Sequence, residues 1–246
     1  MTTKSDFINN IKPDVNSTWQ NRFFLTLDTD WAHDEIIEDT FQLIQEYKIY
    51  STVFITNKSD VFSSWSKSKY INYGIHPNFK PIVLNNISTY SIEEEVSRLM
   101  NICPEAKAVR AHSLIQGSPF QNVYKKYGLT HESNIFIPYY SGISLKPFKS
   151  WNDLISIPYG WEDDVVYTQE KDFAEYSYPT KLFHKSEFEL LVYNFHPIHI
   201  FLNTELPKRY EDTREIHNKP SELIRYRYHG YGTRNRFIDI LKLISK

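Results

Sequence analysis

Two carboxylates, Asp28 and Asp30, stand one residue apart at the end of an apolar run, in the stretch RFFLTLDTDW. On an extended backbone, residues at i and i+2 point to the same side, so both side chains would enter one space. Two carboxylates held close together repel each other and lose solvation, unless a cation or a positive side chain lies between them. The pair therefore indicates either a cation-binding site or a solvated strand end at which one acid caps the following helix.

Further polar side chains follow apolar runs later in the chain. His76 follows YINYGI and precedes Pro77, which predicts a strand–loop junction where a neutral imidazole suits a divalent metal. Arg110 and His112 are again at i and i+2, so the arginine would keep a neighbouring carboxylate ionised while the histidine could bind a metal. An interior salt bridge explains this second pair equally well.

Two more histidines, His196 and His199, follow the apolar run LLVYNF. A histidine at the end of a central strand can transfer a proton, which is the role expected of His196. His199 lies three residues further on and is interpreted as structural. An acid pair, an arginine and several histidines at the ends of strands are together typical of a metal-dependent hydrolase.

The elements that would position these residues alternate between apolar strands and amphipathic helices. Strands are predicted for FFLTLD, YSTVFITN, YINYGIHP, KAVRAHS, THESNIFI, DLISIPY and ELLVYNFHPIHI. Helices are predicted for HDEIIEDTFQLIQEYKI, SIEEEVSRLMNIC with Ser91 as its N-cap, SPFQNVYKKYG closed by Gly128, and GTRNRFIDILKLI. The charged stretch RYEDTREIHNKP, with Pro220, predicts a mobile loop.

Strand–helix alternation indicates parallel strands joined by crossover helices. With about seven strands, an irregular (β/α)7 barrel is favoured over an open doubly wound sheet, and one catalytic domain is expected over residues 1–246. The carboxyl ends of such strands lie at the same open end of the barrel, so the candidate polar residues should come together there.

Composition and charge narrow the possible functions. A net charge of −2 does not give the excess of positive charge that is typical of proteins that bind nucleic acid. The first residues contain no apolar signal segment and no run is long enough to span a membrane, which favours a cytoplasmic location. Cys103 is the only cysteine, so an intrachain disulfide and a thiolate metal cluster are excluded.

Taken in sequence order, the motifs resemble those of the polysaccharide deacetylase family, metal-dependent carbohydrate esterases with an irregular seven-stranded α/β barrel. FFLTLDTDW and YSTVFITN match its opening strands, YGIHPNF its metal-binding histidine motif and VRAHS its arginine motif. YGWEDD matches the aromatic–acid motif, and YNFHP the final histidine motif. GIHPNF, RAHS and NFHPIHIFLNT together are similar to the deacetylase-like proteins of bacterial surface-polysaccharide, or O-antigen, gene clusters.

The resemblance implies a role for each candidate residue. One member of the opening acid pair is the general base and the other binds the metal. Asp28 is mapped as the base and Asp30 as the ligand, although one residue separates them here and the roles can be exchanged. Arg110 would keep the base ionised, Asp163 would orient that arginine, and His196 would be the general acid.

The implied metal site departs from the family pattern of two histidines four residues apart, because the fourth residue after His76 is Lys80. His112 is the best replacement, so a divalent metal, expected to be zinc, would be bound by Asp30, His76 and His112. The implied reaction is hydrolysis of the amide of an N-acetyl sugar, linked to a nucleotide or a lipid, which releases acetate and a free amino sugar.

Two other functions stay open at this point. A catalytically impaired sugar-binding module would explain the replaced histidine, and Trp31, Tyr159 and Trp161 could stack on sugar rings in either case. A two-carboxylate glycosidase on the same barrel would need acids roughly 5–9 Å apart and no metal. The convergent histidines argue against the glycosidase.

Overall fold

The centre of the fold is one curled β-sheet, seen in a computed structural model that describes residues 4–84, 91–166 and 190–245. Its strands are β1 (Lys4–Ser5), β2 (Arg22–Asp28), β3 (Ser51–Ile55), β4 (Ile71–Ile75), β5 (Ala108–Val109), β6 (His131–Glu132), β7 (Phe148–Lys149), β8 (Ile155–Ser156), β9 (Trp161–Glu162) and β10 (Leu191–Phe195). Their order is β7-β8-β6-β5-β4-β3-β2-β10-β9, with β1 beside β2. The β7–β8 pair is antiparallel, and the other pairs are parallel.

One short segment of chain links two distant parts of this sheet. It first pairs with β6 as β8 and then pairs with β10 as β9. Between these two pairings, Tyr159 forms a parallel bridge with Phe136. The sheet therefore curls round on itself, which confirms the predicted irregular barrel of the (β/α)7 type.

Helices connect the strands and cover the sheet. They are α1 (Asp34–Tyr47), α2 (Asp60–Ser64), α3 (Lys80–Leu84), α4 (Ile92–Ile102), α5 (Ser118–Lys126), α6 (Asp163–Val166), α7 (Pro197–Leu202), α8 (Pro207–Asp212), α9 (Pro220–Leu223) and α10 (Thr233–Ile244). Ser91 caps α4 as predicted, accepting a hydrogen bond from the Glu94 N–H. Among the described helices, none is both long and apolar enough to cross a bilayer.

The core lies on both sides of the central strands. Every residue of β3 and β10 is buried, as is every residue of β2 after Arg22. Such continuously buried strands are expected where both faces of a parallel sheet are covered, here by helices outside the barrel and by side chains inside it. On α1, Ile36, Phe41 and Ile44 are buried at the helical period that the sequence predicted. These strands form a rigid base for the loops at their carboxyl ends.

Several predicted elements differ from the structure. ELLVYNFHPIHI is not one strand, because Pro197 begins α7 immediately after β10, and proline suits the first helical position. RYEDTREIHNKP is not a loop, since it forms most of α8, a 3₁₀ turn at Arg214–Ile216, and the start of α9 at Pro220. The strand predicted for KAVRAHS is only the two residues of β5, and His112 lies beyond it in a 3₁₀ turn.

Candidate active site

The candidate residues lie where the carboxyl ends of four strands meet. Asp28 is the last residue of β2, and His76 directly follows β4. Arg110 directly follows β5, and His196 directly follows β10. The distances given below show that the fold brings these side chains together, as the parallel arrangement predicted.

Asp30 enters the site through a tight turn and not along an extended strand. The turn follows Asp28 and is closed by a 2.8 Å hydrogen bond from the Ala32 N–H to the Thr29 carbonyl. At its centre, Asp30 and Trp31 have φ angles of 39° and 60°, in the left-handed region that is unfavourable for residues other than glycine. The expectation that both acids extend from one strand face is therefore wrong for Asp30. The alternative that an acid caps the next helix is also wrong, because the N-cap of α1 is the histidine at position 33.

Asp30, His76 and His112 form a compact group of donor atoms. Oδ1 of Asp30 lies 3.1 Å from Nε2 of His76 and 3.1 Å from Nδ1 of His112. Bonds of about 2.0–2.1 Å in tetrahedral geometry place zinc ligands about 3.3 Å from one another. The spacing of these atoms, and their chemistry of two imidazoles and one carboxylate, therefore fit a divalent metal such as zinc.

The electrostatics of this group also suit a cation. Burial opposes ionisation of Asp30, but hydrogen bonds to His112 and His76 outweigh it and hold the pKa of this carboxyl well below its usual value. Nδ1 of the buried His76 has no hydrogen-bond partner among the described residues, and Oδ1 of Asp28 lies 3.8 Å away. A metal-binding imidazole commonly turns its other nitrogen toward a carboxylate, so His76 is oriented to bind through Nε2.

Lys80 stands where the family pattern has its second histidine. It begins α3, and its Nζ lies 3.5 Å from Nε2 of His112. The backbone N–H of His112 donates a 2.9 Å hydrogen bond to the Pro77 carbonyl, which joins the loops that follow β4 and β5. His112 thus reaches the group from a neighbouring loop, in the position predicted for a replacement ligand.

Asp28 is buried and is held by a positive group and an amide. Its Oδ1 accepts a 3.1 Å hydrogen bond from Nη1 of Arg110, and its Oδ2 accepts a 2.9 Å bond from Nδ2 of Asn194. The guanidinium of Arg110 is fully buried and lies 4.7 Å and 4.2 Å from the ring centres of Phe54 and Tyr159. In this buried environment, the guanidinium supplies a positive charge beside the Asp28 carboxyl group.

The remaining partners of Arg110 show that Asp163 does not orient it. Nε donates to the Ser133 carbonyl at 2.9 Å, Nη2 to the Ser133 hydroxyl at 2.8 Å and Nη1 to the Thr26 hydroxyl at 3.0 Å. The prediction for Asp163 is wrong because this residue begins α6 beyond β9 and turns toward the end of β10. Residues of β2, of β10 and of the segment after β6 hold the arginine in its place.

Asp163 instead holds His196. Its Oδ1 lies 2.7 Å from Nδ1 of the imidazole, and its Oδ2 accepts a 2.9 Å hydrogen bond from the His196 backbone N–H. Burial disfavours a charged imidazole, but the Asp163 carboxylate outweighs it and raises the pKa of His196 well above its usual value. Nε2 of His196 lies 3.7 Å from Oδ2 of Asp30, so a protonated His196 faces the donor group as a general acid would.

Asn194 and Glu162 also belong to the site, although neither was predicted from the sequence. Nδ2 of Asn194 donates to Oδ2 of Asp28 at 2.9 Å and to Oε1 of Glu162 at 2.8 Å, while its Oδ1 accepts from Arg110 at 2.5 Å. Burial, together with the nearby charges of Asp164 and Asp28, raises the pKa of Glu162 to about 8. A neutral Glu162 avoids a second negative charge beside Asp28. Asn194 is a polar residue inside the otherwise apolar run LLVYNF, and this is the feature of the sequence that could have indicated its role in the site.

Of the three aromatic residues expected to contact a sugar, only Trp31 is at the surface, with 48% of its area exposed. Tyr159 is fully buried against Arg110, and Trp161 is buried and stacked on Tyr193. The expectation is therefore wrong for Tyr159 and Trp161, whose rings fill the interior of the barrel.

His199 lies in α7 and is buried. Its Nδ1 is 3.1 Å from the hydroxyl of Thr204, and burial lowers the pKa of this imidazole well below its usual value. A buried, neutral, hydrogen-bonded histidine agrees with the structural role predicted for it.

Comparison with known proteins identifies the class of protein that this fold and site define. The family model of WbmS-like polysaccharide deacetylases matches residues 25–214. Among solved structures, WbmS of Bordetella bronchiseptica, assigned as a polysaccharide deacetylase involved in O-antigen biosynthesis, is 34% identical. The match covers 97% of each chain, with a TM-score of 0.88. The chain therefore belongs to the WbmS-like polysaccharide deacetylase family.

Other solved structures that match share little sequence with this chain. The 4-α-glucanotransferase of Thermococcus litoralis is 8% identical, and the match covers 91% of this chain and 36% of that chain with a TM-score of 0.51. A family 4 carbohydrate esterase of Streptomyces lividans, in complex with acetate, is 11% identical, with 91% and 88% covered and a TM-score of 0.49. Likeness at that level says nothing about function. A search of the curated proteins found no match.

Proposed function

We propose that this protein is a metal-dependent deacetylase that hydrolyses the amide of an N-acetyl sugar during synthesis of a bacterial surface polysaccharide. The observation that carries the proposal is the group of Asp30, His76 and His112, whose candidate ligand atoms lie within 4.8 Å of one another, beside a candidate base and a candidate acid. Similarity to WbmS supports O-antigen synthesis as the context. The proposed substrate is linked to a nucleotide or a lipid, and the proposed location is the cytoplasm.

Asp28 is the proposed general base. A bound divalent cation would polarise the acetyl carbonyl and lower the pKa of a water molecule. The Asp28 carboxylate accepts a proton as the water oxygen bonds to the acyl carbon. Arg110 donates to one oxygen of this carboxylate and supplies its countercharge, and Asn194 fixes the second oxygen. The contacts favour this division of roles, because Asp30 already contacts both histidines whereas Asp28 contacts Arg110 and Asn194.

His196 is the proposed general acid. An amide nitrogen leaves poorly as an anion, so the C–N bond breaks only when the nitrogen receives a proton. Nε2 of His196 supplies that proton, and Asp163 keeps the imidazole charged beforehand. The products are acetate and the free amine of the sugar, with one water consumed.

A sugar-binding module without turnover is the second candidate, and Lys80 is the observation that favours it. Its ammonium group lies 3.5 Å from Nε2 of His112, in the place where the family pattern supplies a ligand. A positive charge beside the donor group weakens cation binding. If the protein binds no metal for this reason, the open end of the barrel and Trp31 could still bind a sugar, but the amide would not be hydrolysed.

Zinc content and acetate release, measured on the same samples, test the proposal. The purified chain, loaded with zinc and dialysed, should retain one zinc ion by mass spectrometry and release acetate from nucleotide-linked or lipid-linked N-acetyl sugars. Asp30→Ala and His76→Ala should lose both properties while remaining folded by circular dichroism. His229→Ala, which removes an exposed histidine outside the group, is the matched control. Stoichiometric zinc in both site variants would contradict the proposal, and zinc-free wild-type protein that binds sugar would favour the module.

A further inference from the structure

An ion pair on α4 contacts two of the loops around the metal group, which is formed by Asp30, His76 and His112. Glu95 is buried, and its two carboxylate oxygens accept hydrogen bonds from Nε and Nη2 of Arg98 at 2.8 Å and 3.0 Å. Burying a charged pair costs solvation, so such a pair often adds little stability compared with apolar residues of similar size. The contacts of this pair with the neighbouring loops indicate a role in positioning.

Glu95 holds the loop that follows β4. Its Oε1 also accepts a 2.9 Å hydrogen bond from the backbone N–H of Asn78, two residues after His76. The backbone N–H of His76 donates to the Ile55 carbonyl at 2.8 Å, so this segment is fixed on both sides of Pro77. Because the proline ring restricts φ, little freedom of rotation remains between the two hydrogen bonds. Glu95 therefore restricts where the backbone of His76 can lie.

The loop after β4 also holds the second histidine of the metal group. The Pro77 carbonyl accepts a 2.9 Å hydrogen bond from the backbone N–H of His112. Pro77 lies between His76 and Asn78, so a movement of Asn78 would also move the acceptor on which His112 depends. A displacement of this one loop would therefore change the positions of both imidazoles.

Arg98 holds the loop that follows β3. Its Nη2 donates a 2.9 Å hydrogen bond to the carbonyl of Thr56, the first residue after that strand. The Thr56 hydroxyl accepts from the Trp31 N–H at 3.2 Å, and the Thr56 N–H donates to the Thr29 hydroxyl at 3.3 Å. Both neighbours of Asp30 are therefore bound to Thr56. An unfavourable left-handed turn such as this one persists only where the surrounding structure holds it.

We propose that Glu95 and Arg98 are positioning residues, which together fix the distance between Asp30 and the two histidines of the metal group. Nη2 of Arg98 is shared between the Thr56 carbonyl and Glu95, so it joins the loop beside Asp30 to the loop that carries His76. Without the pair, the donor atoms would separate and would bind a cation less tightly. The inference rests on the proposed function for the metal, whereas the distance itself is a property of the chain without metal.

The zinc affinity of the folded chain tests this role. Competition with a chromogenic chelator measures the affinity, and urea denaturation of the same samples measures the free energy of unfolding. Glu95→Leu removes the acceptor of the Asn78 N–H, and Arg98→Met removes the donor to Thr56. Each variant should weaken zinc binding about 10–100-fold, as usually follows when a residue that orients metal ligands is replaced. Glu95→Gln keeps an Oε1 acceptor and should stay within about threefold of the wild type.

Glu93→Leu is the matched control. Glu93 lies on the same helix and forms an ion pair with Lys126 of α5, so this variant also removes a carboxylate and an ion pair. Its zinc affinity should equal that of the wild type. A pair that only stabilises the fold would lower the free energy of unfolding and leave the zinc affinity of the folded chain unchanged.

A second measurement, on the metal-free chain, does not depend on the proposed function. NMR of the ring nitrogens of His76 and His112 reports their contacts with Oδ1 of Asp30. The signals of both rings should shift in Glu95→Leu and in Arg98→Met, and should keep their wild-type positions in the control. The Arg98 side chain is 40% exposed, so Arg98→Met should fold even if Glu95→Leu does not.

Unchanged zinc affinity in the folded variants at Glu95 and Arg98 would overturn the inference, and so would unchanged ring signals. If the wild type binds no zinc but the ring signals shift in these variants, only the proposed metal function is contradicted and the positioning role is supported.

Discussion

His196 and Asp163 are joined through both the ring and the backbone of the histidine. The ring nitrogen Nδ1 lies 2.7 Å from one carboxylate oxygen, and the backbone N–H donates to the other at 2.9 Å. The carboxylate therefore fixes the orientation of the imidazole and stabilises its charged form against the cost of burial. This pair gives the site a proton donor that stays charged at neutral pH.

Replacing this carboxylate should change the pH dependence of the reaction. A general acid is active only below its pKa, and Asp163→Asn removes the charge that raises the pKa of His196, so that burial then lowers it. The alkaline limb of the kcat profile should move to lower pH by at least about one unit, with kcat at pH 8 reduced about tenfold or more. Asp164→Asn, at an exposed and more distant carboxylate, should produce a smaller shift. An unchanged profile in Asp163→Asn would mean that another group supplies the proton.

Glu162 should make the stability of the fold depend on pH. A glutamate in the unfolded chain ionises near pH 4.5, whereas Glu162 ionises near pH 8 in the fold. Between these values the folded state holds the extra proton, so stability falls as the pH rises through this window. The glutamine in Glu162→Gln cannot ionise. Between pH 6 and pH 9, the free energy of unfolding of this variant should therefore fall by about 1–3 kcal/mol less than that of the wild type.

Urea denaturation at the two pH values measures this difference. Glu46→Gln, at an exposed position of α1, should follow the wild type. If Glu162→Gln also follows the wild type, Glu162 is already ionised at pH 6.

Arg110 should be more important for stability than its single ion pair suggests. Arg110→Met leaves the buried Asp28 carboxylate without its countercharge, and the free energy of unfolding should fall by about 3–5 kcal/mol. Adding Asp28→Asn removes the uncompensated charge and should recover part of that loss. Denaturation of the two single variants and the double variant forms a cycle that isolates the pair. Strictly additive losses would show that the two residues act independently.

Restoring the family histidine at position 80 should strengthen metal binding. Lys80→His removes an ammonium group that lies 3.5 Å from His112 and adds an imidazole near the donor group, so zinc affinity should rise at least about tenfold. Lys80→Met removes the charge without adding a ligand and should give a smaller increase. Competition with a chromogenic chelator measures both variants. Equal affinities of the histidine and methionine variants would show that a side chain at position 80 does not reach the metal.

The order of the elements could be predicted from the sequence because the patterns were strong. The apolar runs that became β2, β3 and β10 are continuous, and the helical period of α1 is regular. The convergence of Asp28, His76 and Arg110 followed from parallel topology alone. Element limits were less predictable, since the apolar run around Pro197 contains both a strand and a helix, and apolar content does not distinguish them.

The partners of individual side chains could not be predicted. Asp163 contacts His196 because α6 turns toward the end of β10, and no local pattern encodes that direction. The left-handed turn at Asp30 has no glycine to indicate it, so an extended strand end was the simpler expectation. Tyr159 and Trp161 were expected at the mouth, yet their rings are buried inside the barrel.

The pairing of β10 with β2 determines when the site can form during synthesis. Asn194 and Thr26 are hydrogen-bonded neighbours although 168 positions separate them in the chain. The ribosome releases the N-terminal end of a chain first. β2 is therefore synthesised long before β10, which is the last of the strands described here to be translated. A gene product that stops before Leu191 lacks the proton donor and also leaves the β10 side of β2 open to association with other chains.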